Sequence, residues 1–312
     1  MSTDWGTRAR GGVPLAFAAA AISGFAVFIN GYGVRAVPDA TIYTTAKNLV
    51  AALVLVVVAA VGARFGHAGP AGDPARRPRR WLGLAAVGVV GGSVPFLLFF
   101  EGLSRASSTH AAFIHKTLVV WVALLAVPLL GERLRGTHVA AVALLVGGLV
   151  VLDDGLRGFG LGSGELLILG ATLLWSVEII LVKRLLRGVA PATVGLARMG
   201  LGVVLLFGWV AVTDRWSGLV GLGAEGWAWA LLTGAMLAGY VATWFTALSR
   251  APAIDVTAML VAGAVITGLL NAFVRGVPLP AADLAGMALL LAGATVVAAA
   301  ATGRHRVLEP VP

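Results

Sequence analysis

Cysteine is absent from the 312-residue chain, and charged residues are scarce. The absence of cysteine excludes disulfide bonds and thiolate metal sites. Asp, Glu, Lys and Arg together make up 12% of the residues, whereas a soluble domain carries roughly 25%. So few charges would not keep a soluble protein of this size dispersed, but a lipid bilayer accepts an apolar outer surface. The composition therefore predicts a membrane protein.

Long apolar stretches separate short clusters of arginine, and the mean hydropathy is +0.95. A helix needs about 20 mostly apolar residues to cross about 30 Å of hydrocarbon. The sequence predicts an all-α membrane protein with ten such helices and no cleavable signal peptide. The predicted helices cover residues 14–33, 41–61, 81–103, 108–130, 136–152, 164–183, 192–213, 226–248, 253–274 and 281–302.

The positive charges are unevenly divided between the two sides of these helices. Fifteen Lys and Arg residues fall on the side of the N-terminus, five fall on the other side, and Lys47, Lys116 and Arg198 fall inside helices. Cytoplasmic loops carry the excess of positive charge in membrane proteins. We therefore expect both termini in the cytoplasm, and we attribute the net charge of +9 to loops rather than to nucleic-acid binding.

The chain contains an internal repeat. A shift of 145 residues aligns FEGLSRA (100–106) with FTALSRA (245–251), and a shift of 153 residues aligns Pro38 with Pro191. Each half then holds five predicted helices. Because five is odd, the second half enters the membrane from the opposite side. Such inverted repeats support alternating access around a site near the midplane.

The segment EGLSRASSTHAAFIHKTLVVWVALLAVPLLGERLRGTHVAAVALLVGGLVVL (101–152) resembles the hallmark segment of EamA-type drug/metabolite transporters. A weaker copy spans 246–297 and lacks the Gly-Glu-Arg turn, with Gly276-Val277-Pro278 in its place. The resemblance covers residues 14–302. It implies two inverted five-helix repeats, a central cavity bounded by helices 1–4 and 6–9, and helices 5 and 10 at the periphery. Glu132 is then a turn residue rather than a symmetric functional element.

The resemblance also predicts the organisation and location of the chain. We expect a multi-pass protein of the inner (plasma) membrane that contacts lipid, with a homodimer as a candidate assembly. The expected segments are a cytoplasmic N-terminus (1–13), a first repeat (14–152), a connecting loop (153–163), a second repeat (164–302) and a cytoplasmic C-terminal tail (303–312).

Ionisable residues inside a span are costly and are functional candidates by default. The candidates for substrate binding are Lys116, His115 and Lys47, with Trp175 and Trp244 as possible stacking surfaces. Glu178 and Glu101 are candidates for proton coupling, and Arg198 is a candidate structural cation.

Structural alternatives stay open for these candidates. Glu178 could pair with Arg198, and Glu101 could lie on a solvated face or pair with Lys116. Adjacent helical residues point about 100° apart, so only one of His115 and Lys116 is expected to face the cavity. We favour Lys116 for the contact with an anionic part of the substrate. The two Trp side chains could equally be core or lipid-facing rings.

Glycine and proline indicate close packing and one kink. Gly88 and Gly92 form a small-xxx-small pair, of the kind that lets helices approach closely in lipid. Pro95 removes one helical hydrogen bond from the third span and predicts a kink there.

No nucleophile elbow, metal-ligand cluster or glycine-rich phosphate loop is visible, so we expect no enzymatic activity, metal or cofactor. The predicted function is secondary active transport, as an exporter, of a small organic metabolite such as an amino acid or organic anion. A sugar-phosphate or nucleotide-sugar exchanger is one alternative. Lys116 resembles the basic residue such proteins carry on helix 4, but the ninth helix has no cation. A non-transport membrane protein is the other alternative.

Overall fold

A computed structural model describes residues 11–64, 78–103, 105–106, 113–152 and 162–306, and these residues form helices and turns without any β-strand. Nine helical segments of this part are long and apolar enough to cross a membrane, and a tenth, span 5, is shorter. The predicted all-α fold is confirmed. The spans are Gly12–Ala36 (span 1), Ala40–Arg64 (2), Pro78–Val90 with Val94–Leu103 (3), Phe113–Leu130 (4), Gly136–Leu152 (5), Ser163–Leu185 (6), Pro191–Val212 (7), Ala224–Arg250 (8), Ala253–Leu260 with Gly263–Arg275 (9) and Ala281–Arg306 (10). A short helix, Trp216–Val220, lies between spans 7 and 8.

The ends of the spans show that the two repeats are inverted. Gly12, where span 1 begins, packs against Ala251, directly after span 8. We call this side of the molecule the terminal face. Gly164, where span 6 begins, packs against Gly102 at the far end of span 3, on the opposite face. Equivalent first spans therefore start from opposite faces, as five spans per repeat require.

Most helix packing joins one repeat to the other. Span 1 packs against spans 8 and 9, and its counterpart, span 6, packs against spans 3 and 4. Span 2 packs against spans 7 and 8, and its counterpart, span 7, packs against spans 2 and 3. Spans 5 and 10 pack against each other. Each span of the first repeat therefore has the same kind of neighbours as the equivalent span of the second repeat.

Glycines permit the closest of these approaches. A Cβ added to Gly24 in span 1 would lie 2.5 Å from the carbonyl oxygen of Gly263 in span 9. A Cβ added to Gly148 in span 5 would lie 2.8 Å from the carbonyl oxygen of Gly286 in span 10. Backbones in contact at these distances leave room only for hydrogen, so the glycines fix which faces of the spans meet.

Span 3 is interrupted between Val90 and Val94, next to the predicted kink. Pro95 has no N–H, so the carbonyl of Gly91, four residues earlier, loses its helical donor. The indole Nε1–H of Trp175 in span 6 donates to that carbonyl at 3.2 Å. The carbonyl that is freed at the break in the first repeat is therefore hydrogen-bonded by a side chain of the second repeat.

Spans 4 and 9 are irregular at equivalent positions. The N–H of Thr117 bonds both the Phe113 and the Ile114 carbonyl, and the N–H of Ala262 bonds the Met259 carbonyl, three residues back. The 145-residue shift of the repeat places Thr117 on Ala262. Each repeat thus has an interrupted fourth helix in the middle of the molecule.

Candidate functional site

Charged side chains from three spans meet in the middle of the molecule. Lys47, Glu178 and Arg198 each lie seven residues, or about 10 Å, from the nearer end of their spans. All three are buried. Together with the aromatic side chains around them they form what we call the central cluster: Lys47, Phe96, His115, Trp175, Glu178 and Arg198.

Lys47 lies in an aromatic cage and is 5% exposed. Its Nζ is 4.5 Å from the ring centroid of Phe100, 5.4 Å from that of Tyr43 and 5.8 Å from that of Phe96. Nζ also donates to Asn30 Oδ1 at 3.3 Å. Within the described residues no carboxylate pairs with Lys47. In the part of the chain that the structure describes, its charge is therefore balanced by ring faces and one amide oxygen.

Arg198, in contrast, is neutralised by Glu178. Its Nε donates to Glu178 Oε1 at 2.5 Å and its Nη2 donates to Oε2 at 3.4 Å. Arg198 Cζ also lies 5.4 Å from the centroid of Phe96, the ring that Lys47 contacts. Phe96 thus joins two cations from equivalent spans of the two repeats, of which only Arg198 has a counter-ion in the described structure.

Aromatic rings form one wall of the central cluster. The Trp175 ring contacts Phe96, Phe99 and His115, with centroid distances of 5.4, 5.6 and 4.9 Å. His115 lies two residues before the irregularity in span 4. Its Nδ1 is buried and has no hydrogen-bond partner in the part of the chain that the structure describes. The described part of the wall is therefore made of tilted and edge-to-face rings, with one unsatisfied ring nitrogen.

A second stacked pair lies beside the ion pair. Trp244 stacks on Tyr240 with a centroid distance of 5.7 Å and an interplanar angle of 17°. Tyr240 is within electrostatic range of both Arg198 and Glu178. Trp244 itself is 4% exposed. Both Trp candidates are thus buried side chains rather than lipid-facing rings.

Family comparison assigns a class to this arrangement. The model of the EamA-like transporter family matches residues 10–152 and again residues 162–299. The chain belongs to the EamA-like transporter family. It is therefore a multi-pass membrane transporter of small molecules, and the central cluster lies where its repeats meet.

One solved structure, described as "Crystal structure of protein", superposes on this EamA transporter with a TM-score of 0.73. It shares 22% sequence identity and covers 96% of this chain and 99% of its own. At that identity the match supports the fold alone. No curated protein matches the sequence.

Glu101 lies near the end of span 3, and Lys116 directly follows His115 in span 4 of this EamA transporter. Glu101 is exposed and pairs with Arg105, one helical turn later. Among the described residues Lys116 makes no ion pair with Glu101, and it is His115 that contacts the rings. Whether Lys116 or Glu101 acts in transport stays a prediction.

Several residues of the site were not predicted from the sequence. Asn30, Tyr43, Phe96 and Phe100 surround Lys47, and a search for charged residues passes over all four. A polar Asn inside an apolar span was the available signal.

A buried ionisable pair was also missed. Asp255 in span 9 is completely buried, and its Oδ1 lies 3.1 Å from His138 Nε2 in span 5. Both residues lie within three positions of a predicted span end, where side chains are usually solvated.

Proposed function

We propose that this EamA transporter is a secondary active transporter that exports a small organic anion, or an amino acid bound through its carboxylate. The observation that carries the proposal is Lys47, a buried cation at the centre of the fold without a carboxylate partner in the described structure. A cation inside a membrane costs about 2.5–3.5 kcal/mol on insertion scales. A carboxylate on the substrate would supply the missing counter-ion.

The aromatic side chains indicate the rest of the substrate. Trp175 belongs to the central cluster and Trp244 stacks on Tyr240. Aromatic rings of this kind bind apolar or planar groups. A multiply charged sugar phosphate is a poorer fit, because Arg198 is already neutralised by Glu178. We infer a substrate with one negative charge and an apolar or planar part.

Alternating access is the proposed mechanism. Two inverted repeats and the equivalent irregularities at Thr117 and Ala262 both support it. Rocking of one repeat against the other would expose the central cluster to each face in turn. The energy would come from an ion gradient, from exchange or from the gradient of the substrate.

Replacing Lys47 with methionine is expected to weaken substrate binding and transport by about 10- to 100-fold, the effect of losing a hydrogen bond to a charged group. Ligands would first be found by screening amino acids, organic acids and phosphates for thermal stabilisation of the purified protein. Uptake into proteoliposomes then measures transport by each variant.

Lys116→Met is the matched control, because it removes the other Lys of the first repeat. If Lys47 is the main contact with the substrate carboxylate, Lys116→Met should lose less transport than Lys47→Met, although Lys116 stays a candidate for substrate contact. The reverse outcome, loss in Lys116→Met and normal transport in Lys47→Met, would assign substrate contact to Lys116 instead.

We also propose that the terminal face is cytoplasmic and that the protein lies in the inner membrane. The support is the fifteen-to-five division of positive charge between the two sides. A reporter that is active only in the cytoplasm should be active when fused after Pro312 and inactive when inserted at Gly221, between spans 7 and 8. The opposite pair of activities would reverse the orientation.

A further inference from the structure

The turn after span 4 reaches across to the second repeat. Gly131 adopts a left-handed conformation, with φ of 70°, and the N–H of Glu132 bonds the Ala126 carbonyl at 3.3 Å. A left-handed glycine of this kind ends the helix, and it fixes the angle at which the next residue leaves. The turn therefore sets the direction in which the Glu132 side chain leaves span 4.

The Glu132 carboxylate binds the beginning of span 9. Its Oε1 accepts a hydrogen bond from the N–H of Ala253 at 2.7 Å, and its Oε2 accepts one from the N–H of Ile254 at 3.1 Å. These are the first two N–H groups of the helix, which have no partner inside it. A carboxylate there is also favoured by the helix dipole. The contact joins the first repeat to the second.

Two cations of span 6 complete this arrangement. Lys183 Nζ donates to the carbonyls of Leu248 and Ala251, each at 2.5 Å, where span 8 ends. Arg184 Nη2 donates to the Leu129 carbonyl at 2.8 Å, which again joins the two repeats. We call Glu132, Lys183 and Arg184 the terminal-face latch.

The equivalent turn on the opposite face lacks the carboxylate. Gly276 has the same left-handed conformation, with φ of 65°, and the N–H of Val277 bonds the Asn271 carbonyl at 3.2 Å. The turn therefore forms with valine at the position that Glu132 occupies in the first repeat. It follows that the Glu132 carboxylate is not needed to build the turn, and that its contribution is the contact with span 9.

We propose that Glu132 is a gate-positioning residue whose carboxylate holds the terminal face closed. The transporter opens to that face only when the beginning of span 9 moves away from the Glu132 carboxylate. The inference rests on the proposed alternating access. Nearby Asp255 does not substitute for Glu132, because its carboxylate already contacts His138. Removing the Glu132 carboxylate should shift the population towards forms that are open at the terminal face.

Single-cysteine labelling tests the gate, since the chain has no native cysteine. Ala123→Cys places a thiol beneath the latch, in a buried cluster with Ile180 and Ile254. The labelling rate with a charged thiol reagent, measured on purified protein without substrate, should rise about tenfold when Glu132 is replaced by valine, the residue at its repeat counterpart. Glu132→Gln should also raise the labelling rate at position 123. It tests the proposal if the valine variant cannot be purified.

Two controls separate a gate from general loosening. Ala46→Cys reports on the opposite half of the molecule, where it is buried with Tyr43 and Ile42, and its labelling should not rise in Glu132→Val. Gly200→Ala, a change in span 7 whose added Cβ would meet nothing within 4 Å, should leave labelling beneath the latch unchanged.

Unchanged labelling of the thiol at position 123 in both Glu132 variants would contradict the gate role of Glu132. An equal rise in the labelling rates at positions 123 and 46 would also contradict it. No substrate enters the experiment. A failure to find a transported anion would therefore contradict the proposed function and leave this result standing.

Discussion

Replacing Arg198 with methionine is expected to destabilise the protein by about 3–5 kcal/mol, the usual cost of removing one partner of a buried ion pair. Glu178 would be left as a buried carboxylate without its counter-ion, because both of its oxygens accept from Arg198. The carboxyl group packs against the backbone of span 3, since a Cβ added to Gly91 would lie 2.1 Å from Glu178 Cδ. Thermal unfolding of the purified protein in detergent measures the loss.

The double variant Glu178→Met, Arg198→Met is the matched comparison. It removes both charges and replaces them with apolar side chains of similar length, so most of the lost stability should return. Equal unfolding temperatures for Arg198→Met and the parent protein would show that the pair contributes nothing to stability.

The same double variant tests the predicted coupling role of Glu178. A stable double variant that transports with unchanged pH dependence would remove Glu178 from proton coupling and leave the pair a structural one. A stable double variant that no longer responds to pH would support coupling through Glu178. In the parent protein a proton must then compete with Arg198 for the carboxylate.

The spans and the inverted repeat could be predicted because each depends on information local in sequence. Apolar length identifies a span, and two collinear shifts identify the repeat. Pro95 likewise predicted an interruption in span 3 without any knowledge of the fold. The partner of the freed Gly91 carbonyl could not be predicted, because Trp175 comes from a span 84 residues away.

The central cluster was predicted in part, for a related reason. Lys47 and Arg198 were recognised because charge is rare inside a membrane. The aromatic cage was not, because no spacing in the sequence links Phe96 and Phe100 of span 3 to Lys47 of span 2. Helix periodicity indicated that only one of His115 and Lys116 faces the cavity. Which of the two contacts the rings depends on how span 4 rotates about its axis, and the structure places His115 there.

Replacing Gly202 with alanine is expected to destabilise the protein by about 1–3 kcal/mol through overpacking of the contact between spans 7 and 3. A Cβ added to Gly202 would lie 2.5 Å from the carbonyl oxygen of Gly92, 2.6 Å from its carbonyl carbon and 2.8 Å from its Cα. All three are backbone atoms, so no side-chain rotation can relieve the clash. Span 7 would have to move away from the break in span 3.

Gly200 supplies the matched control on the same helix. A Cβ added to Gly200 would meet nothing within 4 Å, and alanine is favoured over glycine in a helix by about 1 kcal/mol. Gly200→Ala should therefore be neutral or slightly stabilising in the same thermal unfolding measurement.

A functional loss should accompany the stability loss only in Gly202→Ala, because Arg198 lies one helical turn from Gly202 and its own carbonyl oxygen packs against Gly92. Displacing span 7 there moves the guanidinium away from Glu178 and Phe96. If both glycine variants unfold at the same temperature as the parent protein, the contact between spans 3 and 7 is not tight. The position assigned to Arg198, which depends on that contact, would then also be wrong.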